Sequence, residues 1–213
     1  MSESRKKWMI LIVVGVLSIV ADQATKIWAR HSLPVMGHGS NNGVCVVPDD
    51  IAADPPRCGG QAVAVIDGFW DWRLSMNHGS AFGLFAGHPS LARVLLSLVG
   101  VGAVIWMLWA LWKSRDDQRL LHWAFALIAG GAIGNLIDRM YFGVVTDFVL
   151  WHYHAKEWPV FNVADVVLVV GVGLMFIDIQ KEKKRLGKPS KKEQTQARDE
   201  AARKAGLVKD LRE

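Results

Sequence analysis

Apolar residues in this chain are clumped into long runs, and the charges gather where the runs end. The first run is uncharged from Trp8 to Ala21 and continues past Asp22 through Ile27-Trp28-Ala29, 22 residues in all. The second covers Leu91 to Trp112 with one charge, Arg93, near its start, and the third covers Leu120 to Ile137. The fourth, Val163 to Ile179, follows Asn162, a residue suited to the N-cap. About 20 apolar residues cross the hydrocarbon of a bilayer as a helix. The pattern therefore predicts four membrane-spanning helices. A basic start (Arg5, Lys6, Lys7) and 14 apolar residues would also fit a cleavable signal peptide, but the continuation past Asp22 favours a retained helix.

Between the first two runs, residues 30–89 read as non-helical. GHGSNNG and PDDIAADPP are turn-rich. AVAVIDGFWDWRLSMN then alternates in part, which predicts short strands over 62–77 joined near Asp67-Gly68. In NHGSAFGLF (Asn77 to Phe85), Gly79 and Gly83 suit a backbone lying close to another group, while Phe82 and Phe85 could dip into the membrane interface. A plain turn is the alternative. Cys45 and Cys58 are the two cysteines, and they could form a disulfide if this loop lies outside the cytoplasm or remain two loop thiols.

Charge gives the orientation. The net charge is +5, but residues 181–213 carry twelve Lys/Arg against six Asp/Glu, so the rest is close to neutral. Lys and Arg cluster at 5–7, at 113–119 and from 181 onward, which places those regions and both termini in the cytoplasm. Residues 30–90 and 138–162 then lie outside. Beside a membrane segment, a basic tail reads as an anchor for anionic lipid rather than a nucleic-acid site. The expected division is a membrane domain over 1–180 and a tail over 181–213.

The chemistry concentrates in GGAIGNLIDRMYFGVVTDFVLWHYHAKEWPVFNVAD, Gly130 to Asp165. Its carboxylates and amides are costly to desolvate at a membrane edge, which points to function. Gly130 and Gly134 form a small-residue pattern that lets helix backbones approach. No HExxH, GxSxG or phosphate-binding glycine loop occurs, and no cofactor is signalled. Two carboxylates held close share a proton, so that one can act as base toward water and the other can protonate a carbonyl. Each aspartate also has a structural alternative. Asp165, three residues after Asn162, can complete a capping box; Asp138 can pair with the adjoining Arg139; Asp147, in the loop-like GVVTDFVLW, can be a turn residue. Asp22 and Lys26 lie four apart and can pair on one helix face. Spacing alone stops at some pair among Asp138, Asp147 and Asp165. A proton-coupled transporter or a membrane scaffold remains open at this level.

Five stretches narrow the choice: DQATK (Asp22 to Lys26), NHGSAFGLF, GGAIGNLIDR (Gly130 to Arg139), VVTDF (Val144 to Phe148) and FNVAD (Phe161 to Asp165). In this order, and with the four spans, the chain resembles the lipoprotein signal peptidases (signal peptidase II), bacterial membrane aspartic peptidases. The resemblance covers about residues 8–180. It implies Asp147 and Asp165 as the catalytic dyad, with Asp22, Lys26, Asn77, Gly79, Asn135, Asp138, Arg139 and Asn162 around substrate and dyad. It implies a four-helix core in the bacterial inner membrane, a small extracytoplasmic β-sheet (the cradle) and a short outer helix, placed near 151–160. It also implies diacylglyceryl-modified prolipoproteins as substrates, cleaved before the lipidated cysteine at the periplasmic side without a metal. Membrane lipids are the other partners, and nothing demands more than a monomer. The stretch near 37–60 and the tail beyond 185 are longer than the family pattern, and QARDEAARKAGLVKDL in that tail reads as a charged helix.

Overall fold

The computed structural model describes residues 3–36, 40–41, 44–45, 59–79, 89–187 and 191–204. Among them are five helices: α1 (Glu3–Ser32), α2 (Pro89–Lys113), α3 (Arg119–Tyr141), α4 (Val163–Leu186) and α5 (Lys191–Lys204). The first four are long and apolar enough to cross a bilayer, as the runs predict, and α5 falls on the charged tail. Their outward faces suit lipid. Leu98, Val99, Ile105 and Val169 are 62%, 67%, 61% and 73% exposed, an arrangement unfavourable in water and natural in hydrocarbon. Met1–Met175 forms one compact unit, and Phe176–Glu213, with the end of α4 and all of α5, forms another.

Small residues let α3 take the centre, with α1 and α2 packed on it. A Cβ on Gly130 would lie 2.7 Å from the Ser18 Cβ and 3.0 Å from the Gly15 carbonyl oxygen. One on Gly134 would lie 2.5 Å from Asp22 Oδ2, and one on Gly131 would lie 2.6 Å from the backbone oxygen of Ala164 on α4. The small-residue pattern thus brings three spans within backbone contact. At one end of the bundle Lys7 is buried. Its Nζ donates to the carbonyls of Ser114 (3.0 Å) and Trp112 (3.4 Å) and pairs with Asp116 at 3.3 Å. The start of α1 is therefore fastened to the α2–α3 turn, so two of the three basic regions share one end.

The other end of α1 carries the sheet. Its strands are β1 (Val35–Met36), β4 (Gly59–Gly60), β5 (Val63–Ile66), β6 (Trp70–Asn77), β7 (Val145–Tyr153) and β8 (Lys156–Glu157); β2 (Ser40–Asn41) and β3 (Val44–Cys45) form a separate pair. The order is β1-β4-β6-β7-β8, with β5 also on β6, and every pairing is antiparallel. The β5–β6 turn falls at 67–69 with Gly68 at φ +75°, as the sequence pattern predicts. Beneath the sheet, Ala29 of α1 and Leu33 just past its end pack with Leu74, Met76, Val144, Phe148 and Val149. Trp28 meets Trp72 edge-on at 5.2 Å, adding an aromatic seal.

Two expectations require correction. Residues near 151–160 hold no outer helix: Trp151 pairs with Trp70, and His152 and Tyr153 pair with Glu157 and Lys156 around a turn in which His154 has φ 53°. Aromatic side chains and cross-strand pairing outweigh local helix preference there. Asp147 is likewise not in a loop but inside β7, opposite Ser75. The readings of Phe82, Gly83, Phe85 and the Cys45–Cys58 bond lie outside the described residues.

Helix propensity alone favours Gly131→Ala by about 1 kcal/mol. The contact with the Ala164 carbonyl reverses that sign, because backbone must move to admit the methyl group. Gly131→Ala is expected to lose about 1–3 kcal/mol, read as a lower thermal midpoint in detergent. An unchanged or raised midpoint would contradict the packing.

Candidate active site

Asp22, Lys26 and Arg30 follow one another at four-residue spacing and so share a face of α1. That face is turned into the protein. Lys26 is 0% exposed, and its Nζ lies 2.9 Å from Asp22 Oδ2, 2.9 Å from Asn135 Oδ1 and 3.4 Å from Asp138 Oδ2. Arg30 donates to Thr146 Oγ1 at 2.7 Å, lies 3.7 Å from Asp138 Oδ1 and stacks over the Phe142 ring at 4.2 Å. Gln23 donates to Asp22 Oδ2 at 3.0 Å and to the Gly134 carbonyl at 3.1 Å. Two carboxylates and two cations are thus desolvated together, which keeps the cluster neutral as a group.

Each buried carboxylate also reaches a backbone N–H. Asp22 Oδ1 accepts from Ala164 at 2.9 Å, and Asp138 Oδ2 accepts from Thr146 at 2.8 Å. Ala164 precedes Asp165, and Thr146 precedes Asp147. Lys26 therefore joins two carboxylates that hold the chain immediately before the two other acids of the motif stretches, Asp165 and Asp147.

A second layer of amides holds the acids themselves. Asn162 Oδ1 accepts the Asp165 N–H, and Asp165 Oδ2 accepts the Asn162 N–H, both at 3.1 Å, which completes the expected capping box. With its oxygen so used, Asn162 turns Nδ2 toward Asp147 Oδ1 (2.6 Å) and Asn135 Oδ1 (3.1 Å). Asn135 must present its oxygen to the Lys26 ammonium, a donor only, so its Nδ2 reaches Asp165 Oδ1 at 2.9 Å. From β6, Asn77 Nδ2 donates to Asp147 Oδ2 at 3.0 Å. Gly79, at φ +87°, donates its N–H to Asn77 Oδ1 at 2.8 Å, and a Cβ there would lie 2.5 Å from Leu96 Cδ1. Arg139 Nη1 donates to the Asn135 carbonyl at 3.4 Å, and its charge interacts with Asp147, Asp165 and Asp138.

Electrostatics set Asp147 apart. Burial, and then the charge of Asp165, push its carboxyl up to about 7, against the hydrogen bonds from Asn77 and Asn162 and the charge of Lys26. Beside the pair, a cavity of about 290 Å³ opens between Trp151, Trp158 and Phe161 and the α4 residues Val166, Val169 and Val170, with Asp165 on its lining.

The other eight site residues singled out in the sequence lie in the contact network that surrounds Asp147 and Asp165. One pairing differs: the ion-pair partners of Asp138 are Lys26 and Arg30 rather than the adjoining Arg139, because the α3 backbone turns the two neighbouring side chains apart. Gln23, Arg30 and Thr146 were not singled out. Arg30 had a legible signal, since it continues the four-residue spacing of Asp22 and Lys26; the role of Thr146 depends on strand pairing.

Four apolar spans, with a polar cluster beside an antiparallel sheet, define a multi-pass membrane protein whose candidate site lies at one end of its helices. The profile of the family described as signal peptidase (SPase) II matches residues 14–181. The lipoprotein signal peptidases of Rhodopseudomonas palustris and Nitrobacter hamburgensis are 33% and 36% identical over 171 residues, 78% of this chain and 89% of each relative. That of Polynucleobacter necessarius is 41% identical over 107 residues, 50% of this chain and 65% of that relative's length. A solved structure described as a bacterial membrane enzyme determined by the in meso method at 2.3 Å superposes with a TM-score of 0.64 at 23% identity, covering 84% of this chain and 93% of that one. The chain belongs to the signal peptidase II family.

Removing the Lys26 charge should leave Asp22 and Asp138 buried with too little countercharge. Lys26→Met is expected to cost about 3–5 kcal/mol, and adding Asp22→Asn should restore part of the loss. Thermal unfolding of the single and double variants measures both, and a double variant no more stable than Lys26→Met would contradict the pairing.

Proposed function

We propose that this protein is an aspartic endopeptidase of the bacterial inner membrane that removes signal peptides from diacylglyceryl-modified prolipoproteins, cutting before the lipidated cysteine. Asp147 and Asp165 are its catalytic dyad. The observation that carries this reading is the shared amide network: Asn162 and Asn135 tie the two carboxyls to one another, and the charge of Asp165 helps to raise Asp147. A carboxyl that holds its proton near neutral pH can give it to a scissile carbonyl. Asp165, which accepts from Asn135 Nδ2 of α3 at Oδ1 and from the Asn162 N–H at Oδ2, takes the part of base toward the attacking water. The water's oxygen bonds to the carbonyl carbon, its proton passes to Asp165, and the proton of Asp147 goes to the carbonyl oxygen. Collapse of that adduct then breaks the C–N bond: Asp147 takes back a proton from a hydroxyl of the adduct as the carbonyl re-forms, and Asp165 gives its proton to the leaving amine nitrogen.

The surroundings fit a lipid-borne substrate. A diacylglyceryl group and an apolar signal helix both partition into the bilayer. The cavity beside Asp165 is walled by aromatic residues and by α4 valines, of which Val169 is 73% exposed. A substrate can therefore approach sideways without leaving the lipid. In this reading the sheet lies at the periplasmic surface, and the Lys7 end and both termini are cytoplasmic. Asn77, Asn135, Asp138, Arg139, Asn162, Asp22, Lys26 and Gly79 support the dyad and substrate, no metal takes part, and the enzyme works as a monomer.

Asp147→Asn and Asp165→Asn are expected to insert normally while lowering cleavage of a lipidated prolipoprotein by about a hundredfold to ten-thousandfold. Turnover at the wild-type rate by both variants would overturn the assignment. The pH dependence follows from Asp147, whose proton is held up to about 7. As pH rises through that value the dyad loses the proton it must donate, so kcat/KM should fall on the alkaline side. A rate still climbing at about two pH units above neutrality would contradict Asp147 as the acid.

A further inference from the structure

Arg30 lies outside the five motif stretches, and Thr146 has no role in the dyad chemistry, yet both are buried and bonded to one another beside Asp147. Thr146 is 0% exposed and Arg30 is 8% exposed, at 2.7 Å between Arg30 Nη1 and Thr146 Oγ1. The same hydroxyl can donate to Met76 Sδ at 3.9 Å, while the Thr146 N–H is held by Asp138 at 2.8 Å. Residue 146 is thereby fixed by its side chain and its backbone at once.

The position of this lock matters because the ladder is irregular there. The pairing of β6 with β7 shifts register between Trp72 and Ser75, and Ser75 is the residue opposite Asp147. The extra residue lies on β6, where two residues face Phe148, and a bulge bends its strand and increases the local twist. Thr146 ties β7 to α1 through Arg30 and to α3 through Asp138, so these contacts, added to the ladder and to the Phe148–Phe161 bond at 3.0 Å, set how β7 is turned beside Asp147. Successive side chains along a strand point to opposite faces. Arg30 therefore holds β7 from one face, while Asn77 and Asn162 hold the Asp147 carboxyl from the other.

We propose that the Arg30–Thr146 pair is a positioning device that fixes the rotation of β7 and so keeps the Asp147 carboxyl directed toward Asp165. The device acts through Asp147, and it rests on the reading of Asp147 and Asp165 as the dyad. The groups facing Asp147 that any rotation would disturb are Lys26 on α1, Arg139 on α3, Asp165 and its cap Asn162 at α4, and Asn77 on β6.

The test uses the full chain in detergent with a lipidated prolipoprotein. Thr146→Val removes the hydroxyl and keeps the backbone N–H to Asp138, Thr146→Ser keeps both, and Arg30→Met removes the donor. Thr146→Val and Arg30→Met are each expected to lower kcat by about tenfold to a hundredfold with KM changed by less than about twofold. Thr146→Ser should restore kcat to within about threefold of wild type, and the double variant Arg30→Met with Thr146→Val should lose no more than the worse single variant, to within about twofold. A second readout needs no substrate: the infrared titration of the carboxyl band that Asp147→Asn deletes. Its midpoint should move in Thr146→Val and return in Thr146→Ser, and this arm decides the positioning role even if the wild type proves not to cleave prolipoproteins. Wild-type kcat and midpoint in Thr146→Val would overturn the proposal, as would a Thr146→Ser variant as impaired as Thr146→Val, or losses that multiply in the double variant.

Discussion

The Lys26 ammonium between Asp22 and Asp138 is the interaction on which the rest depends. All three groups are 0% exposed, so none has water to fall back on. A buried pair adds little net stability over a well-packed apolar substitute, but breaking it is costly. The arrangement is thus better understood as a constraint than as glue. Both carboxylates also accept a backbone N–H: Asp22 meets Lys26 through Oδ2 and Ala164 through Oδ1, while Asp138 Oδ2 meets both Lys26 and the Thr146 N–H and its Oδ1 faces Arg30. Two segments separated by a hairpin are thereby referenced to a single charge on α1.

This constraint gives several residues two duties. Asp165 closes the capping box of α4 and faces Asp147 through the Asn135–Asn162 amides. Asn162 caps a helix with its oxygen and holds Asp147 with its nitrogen. Gly134 leaves the space into which Asp22 fits, so that helix packing and polar geometry are one problem. Fold and candidate site would fail together at such positions, whereas Arg30 and Thr146 act at one remove from the acids.

What was legible in the sequence follows from the range of each interaction. The spans, the β5–β6 turn and the Asn162–Asp165 box are local, and run length, Gly68 and a three-residue spacing mark them. The strand character of Asp147 is not local, because β7 exists through pairing with β6, about 70 residues earlier. The expected helix near 151–160 failed for the same reason, with Trp151 and Tyr153 drawn into cross-strand pairs. Arg30 was readable as the next step of the Asp22–Lys26 spacing, but it falls just past the apolar run, which ends at Ala29. The dyad itself came from the resemblance, since spacing left three aspartates equal.

The central claim is that Asp147 and Asp165 are held at a separation that lets one water touch both. A crystal structure from lipidic mesophase, at a resolution that shows ordered water, measures this directly. The account predicts one water within about 2.6–3.2 Å of a carboxyl oxygen of each residue, with Asn135 and Asn162 bonded as described. Carboxyl groups too far apart to share a water, or an intervening side chain between them, would contradict it.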